Sequence, residues 1–251
     1  MEHKRGKLYI VGIGPGGKEH LTFRAVEALR DADVIIGYSL YLDLIAHLLA
    51  DKEVIRSAMG DERERALNSI ERAVAGGRVA LVSGGDPGIY GMAGPVFEAL
   101  FTVATEEAEQ IQVEVIPGVT AASACSAIVG APLAQDFAVV SLSDRFVPWD
   151  VITRRLQLVL DAGMALVLYE PASRHRPTHM AEAWKVLSRF RGPDTPVAVV
   201  RDASRADQSA IVTTLAHLLE QKFDMHTTVI VGGSQTLARG RFMVTPRFHQ
   251  A

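Results

Sequence analysis

The residues of this chain that could do chemistry are concentrated in two glycine-rich segments. Segment 83–91 reads Ser-Gly-Gly-Asp-Pro-Gly-Ile-Tyr-Gly and follows the apolar run 79–82, so it combines nearly bare backbone with one carboxylate and one phenol. Segment 12–17 reads Gly-Ile-Gly-Pro-Gly-Gly and closes the first apolar run. Because glycine has no Cβ, such turns let the backbone approach a ligand, and open α/β sheets bind ligands where strands end. Tight turns alone explain many such clusters, but two of them in one half of the chain favour a cofactor site.

Two familiar nucleotide-binding motifs are only partly matched by the first segment. A phosphate-binding loop, G-x-x-x-x-G-K-[ST], needs a hydroxyl where this chain has Glu19, and Pro15 removes one N–H from the loop. The dinucleotide fingerprint G-x-G-x-x-G needs an acid at the end of the second strand, to hold the ribose. That strand ends at Tyr38, and Asp33 precedes it. The sequence therefore disfavours both an NTPase and a nicotinamide dehydrogenase.

The elements that must position these segments alternate between strand-type and helix-type patterns up to residue 116. Short β-branched runs predict strands, and apolar residues at helical spacing predict helices between them. The predicted strands are 8–13, 34–37, 79–83 and 113–116, and the predicted helices are 21–30, 62–75 and 93–103. This alternation predicts a largely parallel sheet.

Pro117 and Gly118 interrupt that pattern and give the predicted domain boundary, with domains over 1–117 and 118–251. The predicted helices beyond it are 120–129, 149–160, 178–190 and 214–222, and the predicted strands are 138–142, 165–169, 197–200, 210–213, 228–231 and 242–245. The interval between Val200 and Ala210 is too short for a crossover helix, which predicts an antiparallel pair. We therefore predict an α/β fold of two α/β domains, with a mostly parallel sheet in the first and a mixed sheet in the second.

Composition bounds the classes of function. The net charge of -3 over 251 residues argues against nucleic acid as a main partner. The single cysteine, Cys125, excludes an internal disulfide and a cysteine-built metal cluster, and its small neighbours predict a buried residue and not a nucleophile. We expect no metal ion. No apolar run reaches membrane-span length and no signal-type core follows the N-terminus, so we expect a cytoplasmic protein without a membrane partner.

Three segments in order carry a resemblance to a known family. Segment 11–16, followed by Leu21, Thr22 and Ala25, resembles the opening of the tetrapyrrole (corrin and porphyrin) methyltransferases. Segment 84–87 resembles their second signature, and segment 116–121 resembles their third. Three further stretches resemble the precorrin-3B C17-methyltransferase (cobalt-factor III methyltransferase) branch, namely 37–43, 59–66 and 83–93. One departure is Glu170, which stands where related members usually carry Asn, and another is Val-Gly-Gly-Ser at 231–234 in place of a Gly-Asn-Ser ending.

The resemblance implies S-adenosylmethionine as methyl donor, with S-adenosylhomocysteine as product, bound in a cleft between the two domains. The implied acceptor is a small-molecule tetrapyrrole, precorrin-3B or cobalt-precorrin-3, methylated at C17 with ring contraction in cobalamin synthesis by a homodimer. Alternatives are a sister enzyme acting at C11 or C20, and a non-catalytic tetrapyrrole- or cofactor-binding protein. The residues that the resemblance implies for donor binding are Pro15, Gly84, Gly85, Asp86, Ile89, Tyr90, Thr120, Ala121, Tyr169, Glu170, Ala203 and Ser204.

Acceptor binding and proton movement are assigned to further side chains. The implied tetrapyrrole carries acetate and propionate groups, and guanidinium groups bind carboxylates through paired hydrogen bonds. The expected acceptor-binding residues are Arg145, Arg174, Arg176 and Arg201. Ring contraction also needs proton movement, for which Tyr90, Asp144 and His175 are the candidates, and no spacing selects among them.

Overall fold

The structure is a computed structural model that describes residues 6–102 and 110–247. It divides into two compact units, Met1–Thr120 and Ala121–Ala251. The predicted domain boundary at Pro117 and Gly118 lies just before this division. Within the described residues, no helix combines the length and the apolar character that a membrane span requires.

The first unit is built on a five-stranded sheet in the order β3-β2-β4-β1-β5. All four strand pairings are parallel, which confirms the predicted parallel sheet. The strands are β1 (Lys7–Gly12), β2 (Val34–Tyr38), β3 (Glu53–Ser57), β4 (Arg78–Ser83) and β5 (Gln112–Ile116). The helices are α1 (Phe23–Asp31), α2 (Ser39–Leu44), α3 (Glu62–Val74) and α4 (Ala93–Thr102), with short 3-10 turns at Lys18–His20 and Ala46–Leu48.

Helices cover both faces of this sheet, and β1 shows why. Leu8 and Ile10 pack with apolar residues of α3 and α4, whereas Tyr9 and Val11 pack with those of α1 and α2. Because successive side chains of a strand point to opposite faces, a strand covered on both sides must be apolar throughout. This explains the continuous apolar runs that the sequence shows before each glycine-rich segment.

The strand order places both glycine-rich segments at the same point of the sheet. β1 and β4 are neighbours, yet the chain leaves β1 for β2 on one side and leaves β4 for β5 on the other. In open α/β sheets, ligands bind at the carboxyl ends of strands where the connections diverge in this way. The fold therefore puts segments 12–17 and 83–91 where such a sheet binds ligands.

The second unit contains a five-stranded mixed sheet in the order β10-β9-β11-β8-β7 and a small sheet in the order β12-β13-β6. In the larger sheet β7 and β8 are parallel and the other pairs antiparallel, including β9 with β10, as predicted. The strands are β6 (Gly130–Ala131), β7 (Phe137–Ser141), β8 (Ala165–Tyr169), β9 (Pro196–Arg201), β10 (Ser209–Thr214), β11 (Thr227–Val231), β12 (Leu237–Arg239) and β13 (Phe242–Val244). The helices are α5 (Ala121–Val129), α6 (Trp149–Asp161) and α7 (His179–Leu187).

Several elements differ from the sequence-based expectation. The predicted helix 214–222 is a 3-10 helix over Leu215–Glu220, and the last residue of predicted helix 93–103 lies outside the described residues. Strand β3 was missed because it lies at the edge of its sheet, where Glu53 and Arg56 are exposed and break the apolar pattern. Helix α2, strand β6 and strand β12 were missed because elements this short carry no readable periodicity.

Candidate functional site

The loops after β1 and β4 are joined through their backbones. The amide of Ile13 donates to the carbonyl of Ser83 at 3.0 Å, and Gly14 and Gly85 exchange two backbone hydrogen bonds of 3.2 and 2.9 Å. Gly14 has φ 72° and Gly85 has φ 62°, the left-handed region that favours glycine. The two glycine-rich segments thus form one hydrogen-bonded structure at the carboxyl edge of the sheet.

Asp86 links this structure to the segment that follows β5. Its Oδ1 accepts the backbone N–H of Gly88 at 2.8 Å, and its Oδ2 accepts that of Gly118 at 3.1 Å. The carboxylate therefore fixes its own turn and holds the third family signature against the second. The resemblance implied donor binding for Asp86, and this bridging role depends on the Gly118 amide, which lies 32 residues further along the chain.

Several glycines of these loops are closely packed against other parts of the protein, and a side chain would not fit there. A Cβ on Gly118 would overlap the carbonyl oxygen of Gly85, and one on Gly12 would lie 2.7 Å from the amide nitrogen of Gly118. A Cβ on Gly84 would lie 2.5 Å from the ring of Tyr41. Real Cβ atoms do not approach other atoms so closely, and here the bare backbone lets three loops and one aromatic ring pack together.

The second loop also presents an apolar pair to its surroundings. Ile89 is 40% exposed and Tyr90 is 58% exposed, and Tyr90 has φ 52°. A bulky residue in this region costs about 1–3 kcal/mol, and such strain is concentrated at functional sites. Pro15 lies in the facing loop, and half-buried Thr120 ends the unit. The loop residues predicted for donor binding thus lie on two loops that the backbone joins.

In the second unit, Tyr169 contacts Ala122, the residue that follows the predicted Ala121. The Tyr169 hydroxyl accepts the backbone N–H of Ala122 at 2.7 Å, which satisfies one of the unpaired amides in the first turn of α5. The amide of Leu142 donates to the Tyr169 carbonyl at 2.9 Å. The ends of β7 and β8 and the start of α5 therefore meet at one place.

Glu170 and Arg176 form an ion pair within the loop after β8. The Arg176 Nη2 lies 3.0 Å from the Glu170 Oε2, and its Nε donates to the Ser173 hydroxyl at 3.2 Å. Glu170 has φ 52°, a conformation that Asn adopts more readily than Glu. Glu170 is therefore less suited to this backbone conformation than the usual Asn, but its carboxylate orients Arg176.

The other predicted arginines lie in different settings. Backbone hydrogen bonds between Ser173 and Arg176 close a turn, with Arg174 and His175 exposed at its tip. Arg145 lies with its guanidinium carbon 5.0 Å from the ring centroid of Phe146.

Arg201, at the end of β9, donates to Asp224 at 2.6 Å, and this hydrogen bond raises the pKa of the guanidinium. Ser204 follows in a turn with φ 61°, where its amide donates to the Gln208 side chain at 2.7 Å, and Ala203 beside it is buried. The structure thus brings Arg201, Ala203 and Ser204 into one turn region.

Asp144 pairs with His179, which is not among the residues predicted for the site. The Asp144 Oδ2 lies 3.2 Å from the Nε2 of His179, the first residue of α7. The pair forms because β7 and β8 end at the same edge of the sheet, so the chain segments that follow them meet. No sequence spacing marks this meeting, which depends on strand order.

The three loops that meet at the edge of the first sheet lie within the part of the chain that matches a known family. The family model described as tetrapyrrole (corrin/porphyrin) methylases matches residues 7–219. The chain belongs to the tetrapyrrole methylases. This confirms the resemblance that the glycine-rich segments indicated.

Curated tetrapyrrole methylases match nearly all of this chain. The chain is 40% identical over 98% of its length to "Cobalt-factor III methyltransferase" of Priestia megaterium, but it spans only 46% of that longer relative. It is 40% identical to the "Probable cobalt-factor III C(17)-methyltransferase" of Salmonella typhimurium, covering 96% of this chain and 98% of that relative. It is 39% identical to the "Precorrin-3B C(17)-methyltransferase" of a Sinorhizobium species, with 97% of each covered.

Solved structures of tetrapyrrole methylases share the fold. The crystal structure of the methyltransferase CobJ matches with a TM-score of 0.91 and 32% identity, over 96% of this chain and 100% of that one. Uroporphyrin-III C-methyltransferase from Thermus thermophilus, solved as a complex with S-adenosylhomocysteine, matches with a TM-score of 0.69 and 26% identity, over 90% and 97%. The α/β fold with a parallel and a mixed sheet is thereby confirmed.

Proposed function

We propose that this chain is an S-adenosylmethionine-dependent methyltransferase that acts at C17 of a precorrin-3-type tetrapyrrole, with ring contraction, in cobalamin biosynthesis. The observation that carries the proposal is end-to-end similarity at about 40% identity to relatives named for C17 transfer, over 96% of this chain and 98% of the Salmonella relative. The 0.91 TM-score with CobJ supports the same assignment.

The donor fits the residues of the first unit. A sulfonium is positively charged, and the half-buried Asp86 is an anion on the loop that also presents Ile89 and Tyr90. We propose that these residues bind the donor with Pro15, Gly84, Gly85 and Thr120, and that Ala121, Tyr169, Glu170, Ala203 and Ser204 do so in the second unit. Bound S-adenosylmethionine supplies a methyl group already activated as a sulfonium. The protein then has to orient the reactants, an effect worth roughly 7–11 kcal/mol.

The four predicted arginines differ in how well they are placed to bind the carboxylates of the acceptor. Arg174, exposed at the tip of its turn, is open to an incoming carboxylate, whereas Arg176 is already oriented by Glu170. Arg201 is held by Asp224 and would have to share its guanidinium, and Arg145 lies beside Asp144. We propose Arg174 as the residue that contributes most to acceptor binding. We also propose that the protein is a cytoplasmic homodimer that acts on a small molecule. We expect it to bind neither nucleic acid nor a membrane.

The test is methyl transfer to defined acceptors. Purified protein is incubated with isotopically labelled S-adenosylmethionine and either precorrin-3B or cobalt-factor III, and the position of the labelled methyl is mapped by NMR. We expect label at C17, and the better acceptor of the two decides whether cobalt belongs to the substrate. Label at C11 or C20 would indicate a sister enzyme. Binding of both ligands without transfer to any tetrapyrrole would indicate a binding protein.

A further inference from the structure

A histidine–carboxylate pair connects the loop that follows β7 with the first residue of α7. The Nε2 of His179 is 3.2 Å from the Asp144 Oδ2, and the His179 ring stands edge-on to Trp149 with centroids 4.7 Å apart. The His179 side chain is 13% exposed, whereas that of Asp144 is 40% exposed. One member of the pair is thus packed into the protein and the other faces outward.

The surroundings of the two ring nitrogens decide which of them carries the proton. The Nδ1 of His179 is buried and hydrogen-bonds to none of the residues that the structure describes. A proton on Nδ1 would lack an acceptor among the described residues, and it would leave the bare lone pair of Nε2 facing the Asp144 oxygen at 3.2 Å, where the two repel each other. In the neutral ring the proton therefore lies on Nε2, which donates to Asp144. This contact orients the carboxylate through one of its two oxygens.

The proposed reaction needs a group of this kind. When the acceptor carbon takes the methyl group, the carbon–sulfur bond breaks with its electron pair remaining on sulfur, and an electron pair of the acceptor forms the new carbon–carbon bond. A neutral acceptor thereby gains one positive charge, which it loses by releasing one proton. A carboxylate held in a fixed orientation can take up that proton, and solvent can later remove it from an exposed acid.

We propose that Asp144 is the base that takes up this proton and that His179 is the residue that positions its carboxylate. The inference rests on the proposed function and selects one of three candidate groups. His175 lies at the exposed tip of a turn, and Tyr90 is 58% exposed on a strained loop. Asp144, in contrast, is oriented by a buried partner, and a fixed orientation is what proton transfer in a transition state requires.

The first test measures the pair in the free protein, without donor or acceptor. In ¹⁵N-labelled protein, we expect the chemical shifts of His179 to report a protonated Nε2 and a bare Nδ1. We expect Asp144→Asn to change the Nε2 shift and to leave the shifts of His217 unchanged. His217 is a suitable control because it forms an exposed pair with Glu220 at 2.8 Å. A protonated Nδ1, or a His179 signal insensitive to Asp144→Asn, would overturn the positioning role.

The second test separates positioning from packing through turnover. We expect Asp144→Asn to lower kcat for C17 transfer about a hundredfold or more, with the dissociation constant for S-adenosylmethionine unchanged. His179→Phe keeps a ring against Trp149 but removes the donor, so kcat should fall about tenfold to a hundredfold at nearly constant KM. His179→Gln restores an N–H donor and should recover most of that loss, and His217→Gln should match the wild type.

The double variant completes the test. If His179 acts through Asp144, then Asp144→Asn combined with His179→Phe is no slower than Asp144→Asn alone. Additive losses, an unaffected Asp144→Asn variant, or a His179→Gln variant as slow as His179→Phe at equal thermal stability would each overturn the inference. Failure of the proposed function is distinguishable, because the wild type would then transfer no methyl group to C17.

Discussion

At the scale of single residues, several side chains at strand ends hold backbone in place. Asp86 accepts two backbone amides from different loops, and Tyr169 accepts one from the start of α5. Such side chains look like ligand contacts in a sequence, because polar residues beside glycine are also what a binding loop needs. Their structural role shows only when the partner amide, distant in sequence, is known.

Asp86 gives the first prediction. We expect Asp86→Ala to lower the free energy of unfolding by about 1–3 kcal/mol, since hydrogen bonds to a charged acceptor are lost at Gly88 and Gly118. Affinity for S-adenosylmethionine should fall as the loops separate. Thermal denaturation and titration calorimetry measure the two effects. Asp86→Asn keeps one acceptor oxygen and should lie between the wild type and the alanine variant; a fully stable Asp86→Ala would contradict the bridging role.

Cys125 gives a prediction about pH. Burial raises the pKa of the Cys125 thiol to about 11 from an ordinary value of 9.0. The unfolded thiol therefore ionises first as pH rises, so the stabilising contribution is complete below pH 9 and is lost between pH 9 and pH 11. The loss is about 1.4 kcal/mol per pH unit over that window. Chemical denaturation of the wild type and Cys125→Ala across pH 8–11 should show their stability difference shifting by this amount; parallel curves would contradict it.

At the scale of elements, the three loops at the edge of the first sheet depend on one another. They meet through main-chain atoms, with Gly12, Gly85 and Gly118 in mutual contact. The parallel strands that carry these loops were predictable from apolar runs followed by glycine. The packing of the loops was not predictable, because it depends on β1 lying between β4 and β5. No local sequence pattern indicates that strand order.

Gly118→Ala tests this dependence. A Cβ there would overlap the Gly85 carbonyl, so the loops must separate, and we expect a loss of about 1–3 kcal/mol with weakened donor binding. Gly94→Ala is the matched control, because a Cβ at Gly94 meets no atom within 4 Å and lies in helix α4. The control should gain about 0.5–1 kcal/mol, since alanine is the better helix former. Equal effects of the two substitutions on donor affinity would contradict the packing argument.

At the scale of the whole molecule, each unit has core clusters of its own. Ile10 is fully buried in the first unit and Leu156 is fully buried in the second. The two tryptophans, Trp149 and Trp184, both lie in the second unit. Their fluorescence therefore reports on the second core, while amide exchange in β1 reports on the first.

Two core substitutions test whether these units lose stability separately. Leu156→Ala and Ile10→Ala each remove a buried side chain and should cost about 2–5 kcal/mol. We expect Leu156→Ala to lower the denaturant midpoint seen by tryptophan fluorescence, and Ile10→Ala to speed amide exchange in β1 with a smaller fluorescence shift. If Ile10→Ala moved the fluorescence midpoint as far as Leu156→Ala does, the chain would unfold as a single cooperative body.

The mixed sheet and its antiparallel β9–β10 pair were predictable from the sequence, because the connection between the two strands is short. Family membership was predictable from three signatures that occur in order. The Asp144–His179 contact could not be anticipated, because the loop after β7 meets the start of α7 only through the pairing of β7 with β8. Glu170 could be recognised as a departure from its family, but its ion pair with Arg176 required the loop conformation.

The close contact of Gly12, Gly85 and Gly118 also limits how this protein can diversify. A larger residue at Gly12 or Gly118 would require simultaneous accommodation at the other two positions, which single-nucleotide changes do not provide. Laboratory selection for new ring substrates should therefore leave these turns unchanged. Beneficial mutations should accumulate instead around Arg174 and His175, whose side chains meet solvent at the tip of a turn.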